Sequence, residues 1–289
     1  MNTYLDCIPC FVRQGLEAAR FVSDDPVDHE RILRAALREA AEADLSQSPP
    51  AFAQLFHRWL RESSGVADPY RDVKERFNRM AAAMMPDLRE RIAAAADPMY
   101  LALRLAVAGN VIDLGVKGGI GEGEAEGSIR RALDEPFEGD MEAFRAAVQG
   151  ADSILYLADN AGEIFFDRLL IEQLPTERVV LAVRGGPVLN DATREDAEAA
   201  GLCDLVEVID NGSDAPGTIL ASCSEAFRRR FAEADLILSK GQGNFETLSE
   251  EDANICFLFR VKCPVIAAHA GLPLGSHAAI RWTRQTERV

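Results

Sequence analysis

Asp159 and Asn160 end an uninterrupted apolar run, Ile154 to Ala158, in the stretch ILYLADNAGEIFFDRLL, and Glu163 follows one turn later. Such a run fits a strand covered on both faces, and the residues from Glu163 onward show helical spacing. The acid and the amide therefore sit at a strand's carboxyl end, the edge of an open α/β sheet where ligands bind. Position alone equally allows Asp159 to cap the following helix. Three later runs end in the same way: RGGPVLNDAT brings Asn190 and Asp191, IDNGSDAPGT brings Asp210 and Asn211, and SKGQGNFETL brings Lys240, Asn244 and Glu246. Carboxylates and an amide carbonyl are hard oxygen donors, suited to one Mg²⁺ or Mn²⁺ ion whose other positions are held by water or substrate. A divalent ion also explains how several acids can lie close together. Lys240, and Lys262 in FRVKCP, are candidates to neutralise a phosphate or carboxylate group, with a solvated surface charge as the alternative for each.

Other chemistry is poorly represented. The four histidines, His29, His57, His269 and His277, form no zinc spacing. CIPC, from Cys7 to Cys10, has a spacing that suits a metal or a redox couple, but it lacks a second pair, a nearby histidine and a surrounding βαβ unit. Incidental thiols, a metal-linked role with a distant cysteine such as Cys263, and dithiol catalysis all remain open. GGIGEGEAEG lacks the GxGxxG spacing of a dinucleotide loop and reads as a plain loop, and there is no Walker loop and no GxSxG elbow.

The elements that must position these residues fall into two halves. Residues 1–148 carry apolar faces at helical spacing in FVRQGLEAARFV, HERILRAALREAAEAD, PPAFAQLFHRWLRESSG, DPYRDVKERFNRMAAAMMPDLRERIAAAA and PMYLALRLAVAGNVID, with breaks at Pro26, Pro49-Pro50, Gly65, Pro69 and Pro98. Residues 149–289 carry short apolar runs, SILYLA, RVVLAVRG, DLVEVID, DLILSKG, CFLFRVK and PVIAAHA, and the connections between the first four are long enough for crossover helices. The expected architecture is α/β: an N-terminal all-α domain followed by a Rossmann-like domain with a mostly parallel sheet, whose strand ends gather the polar residues into one cleft. Asn110 and Asp113, three residues apart in AGNVIDLG, fall where the halves meet. They either close the cleft from the helical side or satisfy backbone groups at a helix end.

With 289 residues, 48% of them hydrophobic, the chain can bury a large core. Lys and Arg total 31 against 47 for Asp and Glu, a formal charge of -16 that repels phosphate backbones and anionic lipid surfaces, so neither nucleic acid nor a membrane is expected as a partner. The opening residues carry Asp6, Arg13 and Glu17 and have neither part of a signal peptide, and no later segment reaches the apolar length needed to span a bilayer, which points to the cytoplasm. The cysteines outside the CIPC pair read as reduced thiols.

Taken together, DNAGEIFFD, RGGPVLNDAT, KGQGNFETL, AGNVIDLG and RVKCP resemble the metal-dependent damage-control phosphatases, a family long known as a domain of unknown function and related to a reported protein-glutamate methyltransferase. CIPCFVRQ and DPYRDVKERFN are similar to the amino-terminal elements of its prokaryotic branch, so the likeness spans nearly the whole chain. The resemblance implies one divalent ion held by Asp159, Asn160 and Asp191, a substrate-contacting segment at Gln242, Gly243, Asn244, Phe245 and Glu246, a late lysine at Lys262, and a place for Glu163 near the proposed methyl-donor site. The eukaryotic branch has Asp-Leu-Asn-Tyr-Arg where this chain has Gln-Gly-Asn-Phe-Glu, so Glu246 replaces an arginine and substrate preference does not carry over. The expected activity is a phosphatase acting on a sugar phosphate or a damaged cofactor precursor, with Asp159, Lys240 and Lys262 as catalytic residues and the choice between water and Asp159 as nucleophile open. The alternatives are S-adenosylmethionine-dependent carboxyl methylation and a non-enzymatic metabolite- or metal-binding protein.

Overall fold

The computed structural model describes residues 1–109, 127 and 131–282; Asn110, Asp113 and the glycine-acid stretch up to residue 126 lie outside the described residues. Five helices come first: α1 (Ile8–Val22), α2 (Pro26–Ala41), α3 (Pro49–Ser64), α4 (Arg71–Ala94) and α5 (Pro98–Ala108). Their starts follow the sequence punctuation. Proline occupies the first turn of α2, α3 and α5, where the missing N–H has no intrahelical acceptor to lose. Asp25 accepts the Val27 N–H at 2.8 Å, and Asp97 accepts that of Tyr100 at 3.0 Å. Gly65, in the left-handed region, ends α3, whereas α4 runs unbroken through Pro86.

Strand β1 (Phe137–Gly139) and helix α6 (Met141–Gly150) precede the expected first strand, β2 (Ile154–Leu157). Then come α7 (Glu163–Ile171), β3 (Val179–Val183), α8 (Arg194–Ala199), β4 (Glu207–Asp210), α9 (Glu225–Glu233), β5 (Leu236–Lys240), α10 (Gln242–Leu248), β6 (Ile255–Arg260), α11 (Pro264–Ala270) and β7 (His277–Trp282). The seven strands run in the order β1-β7-β6-β5-β2-β3-β4, and every neighbouring pair is parallel except β6 with β7. The expected sixth strand, PVIAAHA, is helix α11 instead. Pro264 starts it at a position that suits a helix and removes a donor that a strand would need. The strand that does follow β6 is β7, whose antiparallel pairing extends from Ile255↔Trp282 to Arg260↔His277.

Alternate residues of β2 serve opposite faces. Ile154 and Tyr156 join a core made with Phe77, Leu88, Leu103 and Val107 of α4 and α5 and Phe166 and Leu169 of α7. Leu155 and Leu157 face the other layer, with Phe227, Phe245, Phe257 and Phe259. Helices α1, α2 and α3 have a smaller core of their own around Phe11, Ile32, Phe52, Phe56 and Leu60. The boundary expected between residues 148 and 149 therefore needs correction. It falls inside α6, β1 lies upstream of it, and α4 and α5 share the core of the sheet. The reason is that α4 and α5 cover the sheet face on which β2 would otherwise expose Ile154 and Tyr156.

Candidate active site

The chain order reverses between β5 and β2, neighbours in the sheet that lead away to opposite sides, so the loops after them part and leave a crevice at their carboxyl ends. The loop after β2 is fastened to the loop before α8 by two backbone hydrogen bonds: Ala192 N–H donates to the Asp159 carbonyl and Ala161 N–H to that of Asn190, each at 2.8 Å. Asn160 and Asp191 form an isolated bridge between them. Three residues separated by some thirty positions in sequence thus meet at one place. Asp159 does not cap α7; Gly162 stands at that position and no side chain caps it.

The Asn160 amide is oriented from one side. Its Nδ2 donates to Asp159 Oδ2 at 2.7 Å and to Glu163 Oε2 at 2.9 Å, which leaves its carbonyl oxygen as the face available for a cation. Arg184, at the end of β3, donates from Nε to Asp191 Oδ2 at 2.6 Å, and its Nη2 lies 3.9 Å from Asp159 Oδ1. Burial, reinforced by Glu163 and Asp191, holds the Asp159 carboxyl well above the usual carboxylate range, against the opposing pull of Lys262 and Arg184. Across the crevice, Gly241 adopts a φ of +80°, and a Cβ there would come within 2.1 Å of the Asp159 carboxyl carbon. The turn after β5 is thereby able to press directly against the acid.

These groups fit a hard divalent ion in chemical type: two carboxylates and an amide oxygen, with water or substrate oxygens to complete the set. Among the described residues no group of three or more His, Cys, Asp or Glu side chains could hold a metal. A metal site here consequently depends on Asn160.

Asp159, Asn160 and Asp191 line a cleft of about 460 Å³, together with Gln242, Gly243, Glu246 and Lys262 from the sheet half and Cys10, Arg13 and Gln14 from α1. That volume suits a small metabolite. Gln242 joins two of its neighbours, donating to Glu246 Oε1 at 2.9 Å and accepting the Lys262 N–H at 3.0 Å. Lys262 itself is exposed. Glu246 is half-buried, and burial pushes its carboxyl up to about 7.

Four predicted site residues lie behind the cleft floor. Lys240 is fully buried; its ammonium donates to the Ala106 carbonyl at 2.9 Å, to Glu163 Oε1 at 2.7 Å and to Asp167 Oδ1. Burial alone would lower its pKa, but Asp167 and Glu163 outweigh that and hold it above the ordinary lysine range. A catalytic, phosphate-holding Lys240 is therefore corrected to an internal cation. Glu163, 2% exposed, is engaged between Lys240 and Asn160. Asn244 is likewise internal: Nδ2 donates to the Lys240 carbonyl at 2.7 Å, and Oδ1 accepts from Thr218 Oγ1 at 2.8 Å and from Arg184 at 3.3 Å. Phe245 stacks on Phe259 in the core, ring centroids 4.7 Å apart. Their membership in one sequence motif reflects its packing as much as its cleft. Arg184 escaped the sequence reading; a buried arginine at a strand's carboxyl end, next to two glycines, was its only signal.

A helical cap over the switch point of a mostly parallel sheet, with acid and amide donors on two tied loops, defines an α/β protein organised around one strand-end site. Over residues 3–278 the chain matches the family model described as the damage-control phosphatase ARMT1-like domain, and it belongs to that family. It is 33% identical over 287 residues to a damage-control phosphatase of Pyrococcus horikoshii, covering 97% of this chain and 98% of the relative. A damage-control phosphatase of Archaeoglobus fulgidus is 34% identical over 280 residues, covering 94% and 96%. An uncharacterised protein of Methanocaldococcus jannaschii is 32% identical over 293 residues, covering 96% and 94%. The crystal structure of a DUF89 family protein from Pyrococcus horikoshii superposes with a TM-score of 0.88 at 32% identity, over 98% of this chain and all of that one (100%). The family resemblance carried by the motifs holds over nearly the whole chain. No described helix is long and apolar enough to cross a membrane.

Proposed function

We propose that the protein is a cytoplasmic, divalent-metal-dependent phosphatase that removes phosphate from a small phosphorylated metabolite, a sugar phosphate or a damaged cofactor precursor. The observation that carries this is the convergence of Asp159, Asn160 and Asp191 on one wall of a metabolite-sized cleft that Lys262 also lines. The names of the two damage-control phosphatases among its relatives support the same reaction class.

Asp159, Asn160 and Asp191 would hold one Mg²⁺ or Mn²⁺ ion. When bound, such an ion polarises a phosphoryl oxygen and offsets the charge that develops on the leaving oxygen. Arg184 fixes the Asp191 carboxylate, and the Glu163 contact turns the Asn160 carbonyl away from its own carboxylate neighbours. Lys262 attracts the phosphate dianion into a cleft rich in carboxylates and stabilises its charge as the ester bond breaks. Gln242 and Glu246 are placed to accept or donate hydrogen bonds to the rest of the substrate. Carboxyl methylation finds less support: the loop after β2 carries a single glycine, and Glu163 is already bonded to Asn160 and Lys240.

The test is release of p-nitrophenol from p-nitrophenyl phosphate with and without Mn²⁺, followed by a panel of metabolite monophosphates. Metal-dependent release is expected. Inactivity towards every ester in the panel, with Mn²⁺ and Mg²⁺ each tried, would remove the phosphatase reading.

A further inference from the structure

Lys74 and Asn78 stand one turn apart on α4, in DPYRDVKERFN, a stretch to which the phosphatase reading gives no role. Both are buried, at 4% and 8% exposure. Asn78 accepts the Gly162 N–H through Oδ1 at 2.7 Å and donates through Nδ2 to Asp196 Oδ1 at 2.8 Å. Lys74 Nζ lies 2.9 Å from Asp196 Oδ2 and 3.6 Å from Asp68 Oδ2. That same Asp196 oxygen accepts the Thr193 N–H at 2.8 Å and the Thr193 hydroxyl at 2.9 Å.

The placement of these contacts is what gives them meaning. Gly162 is two residues beyond Asn160, and Thr193 is two residues beyond Asp191. One pair of side chains from the helical half therefore holds both loops that carry the proposed ligands. Gly162 has a φ of +74°, and a Cβ there would meet Phe77 Cβ at 2.9 Å, so α4 approaches this loop as closely as the backbone allows. Its N–H precedes the first turn of α7 and has no intrahelical acceptor, which makes Asn78 its partner.

We propose that Asn78, backed by Lys74, is a positioning residue that sets the separation between the Asp159-Asn160 pair and Asp191, so that metal affinity is governed from α4. This rests on the metal reading above. A small oxygen-ligated ion tolerates little displacement of its donors, and residues that orient ligands typically alter affinity about 10- to 100-fold when removed. Simple mechanical support of the fold would instead change melting temperature alone.

Calorimetric titration of the metal-stripped full chain with Mn²⁺ separates the two, using the parent, Asn78→Ala, Lys74→Met and a control, Leu88→Ala, which opens the core on the same helix and removes no polar atom that could bond either loop. Asn78→Ala should weaken Mn²⁺ binding about 10- to 100-fold, with turnover recovering as Mn²⁺ is raised. Lys74→Met should shift affinity in the same direction by less, and it carries the test if Asn78→Ala does not fold. Leu88→Ala should lower the melting temperature and leave Mn²⁺ affinity unchanged. Parent-like affinity in the folded Asn78 and Lys74 variants would overturn the clamp and leave the metal site standing; a parent that binds no Mn²⁺ would overturn the metal reading and the clamp with it.

Discussion

Lys262 and Lys240 look alike in the sequence, each following a hydrophobic strand, and the fold gives them opposite parts. Lys262 is exposed on the cleft, so Lys262→Met should lower kcat/KM for a phosphate ester about 100-fold while leaving Mn²⁺ affinity near the parent value. Comparable losses of both in kinetics and calorimetry would make it part of the metal site. Lys240 is the centre of a buried charge cluster, and Lys240→Met strands two carboxylates; a cost of about 3–5 kcal/mol follows, seen as a drop in melting temperature on the order of 10 °C. Sequence shows where a lysine falls along a strand but not how deep that strand end lies, so the two are alike in sequence and unlike in the fold. Glu246 permits a test by pH. Its folded pKa of about 7 stands above the ordinary 4.5, so its contribution to stability is complete below pH 4.5 and is lost as pH rises through 7. Glu246→Gln should therefore gain stability relative to the parent across that window, on the order of 1 kcal/mol, and level off above it. A difference in melting temperature that is flat between pH 4.5 and 8 would contradict the burial of that carboxyl.

The elements that carry the site were the most legible part of the chain. Asp159, Asn160 and Asp191 stand out in the sequence because polar residues that interrupt apolar runs mark strand ends, and those strands form. Element type is not legible where a mostly apolar stretch has no decisive period: PVIAAHA fits strand or helix equally, and only the proline at its start favours the helix it forms. β7 is not legible for the opposite reason, since HAAIRW is short and two of its six residues are alanine, and its strand character comes from the partners on either side. The turn from β5 into α10 gives a prediction at this scale. Gly241→Ala would put a methyl group into the space of the Asp159 carboxylate from a left-handed backbone position, and a displacement of the acid by about 1 Å is enough to lower turnover about 100-fold. Circular dichroism should show the helices retained. Full activity in that variant would mean that Asp159 does not act from the position it occupies.

At the scale of the molecule, the helical and sheet halves read from the sequence are one packed body through α4 and α5 and a capped one through α1 to α3. A fragment of residues 149–289 should accordingly fail to fold cooperatively: it loses Phe77, Leu88, Leu103 and Val107 from the main core and truncates α6. A sharp thermal transition in that fragment would show that the sheet half is self-sufficient. Under the proposed function, the net charge of -16 would oppose an anionic substrate, and Lys262 and Arg13, which line the cleft, supply local cations against it. β7 has a consequence in time as well as in space. It lies between β6 and β1, and it pairs Phe137 with His277. On a ribosome the partner for Phe137 emerges about 140 residues later, roughly ten seconds or more at ordinary synthesis rates. Throughout that interval β1 has no neighbour, and the face of α5 that β6 and β7 will cover stays open to other chains. The last of the described strands to be made is therefore the one that closes the sheet, and β1 waits unpaired until it appears.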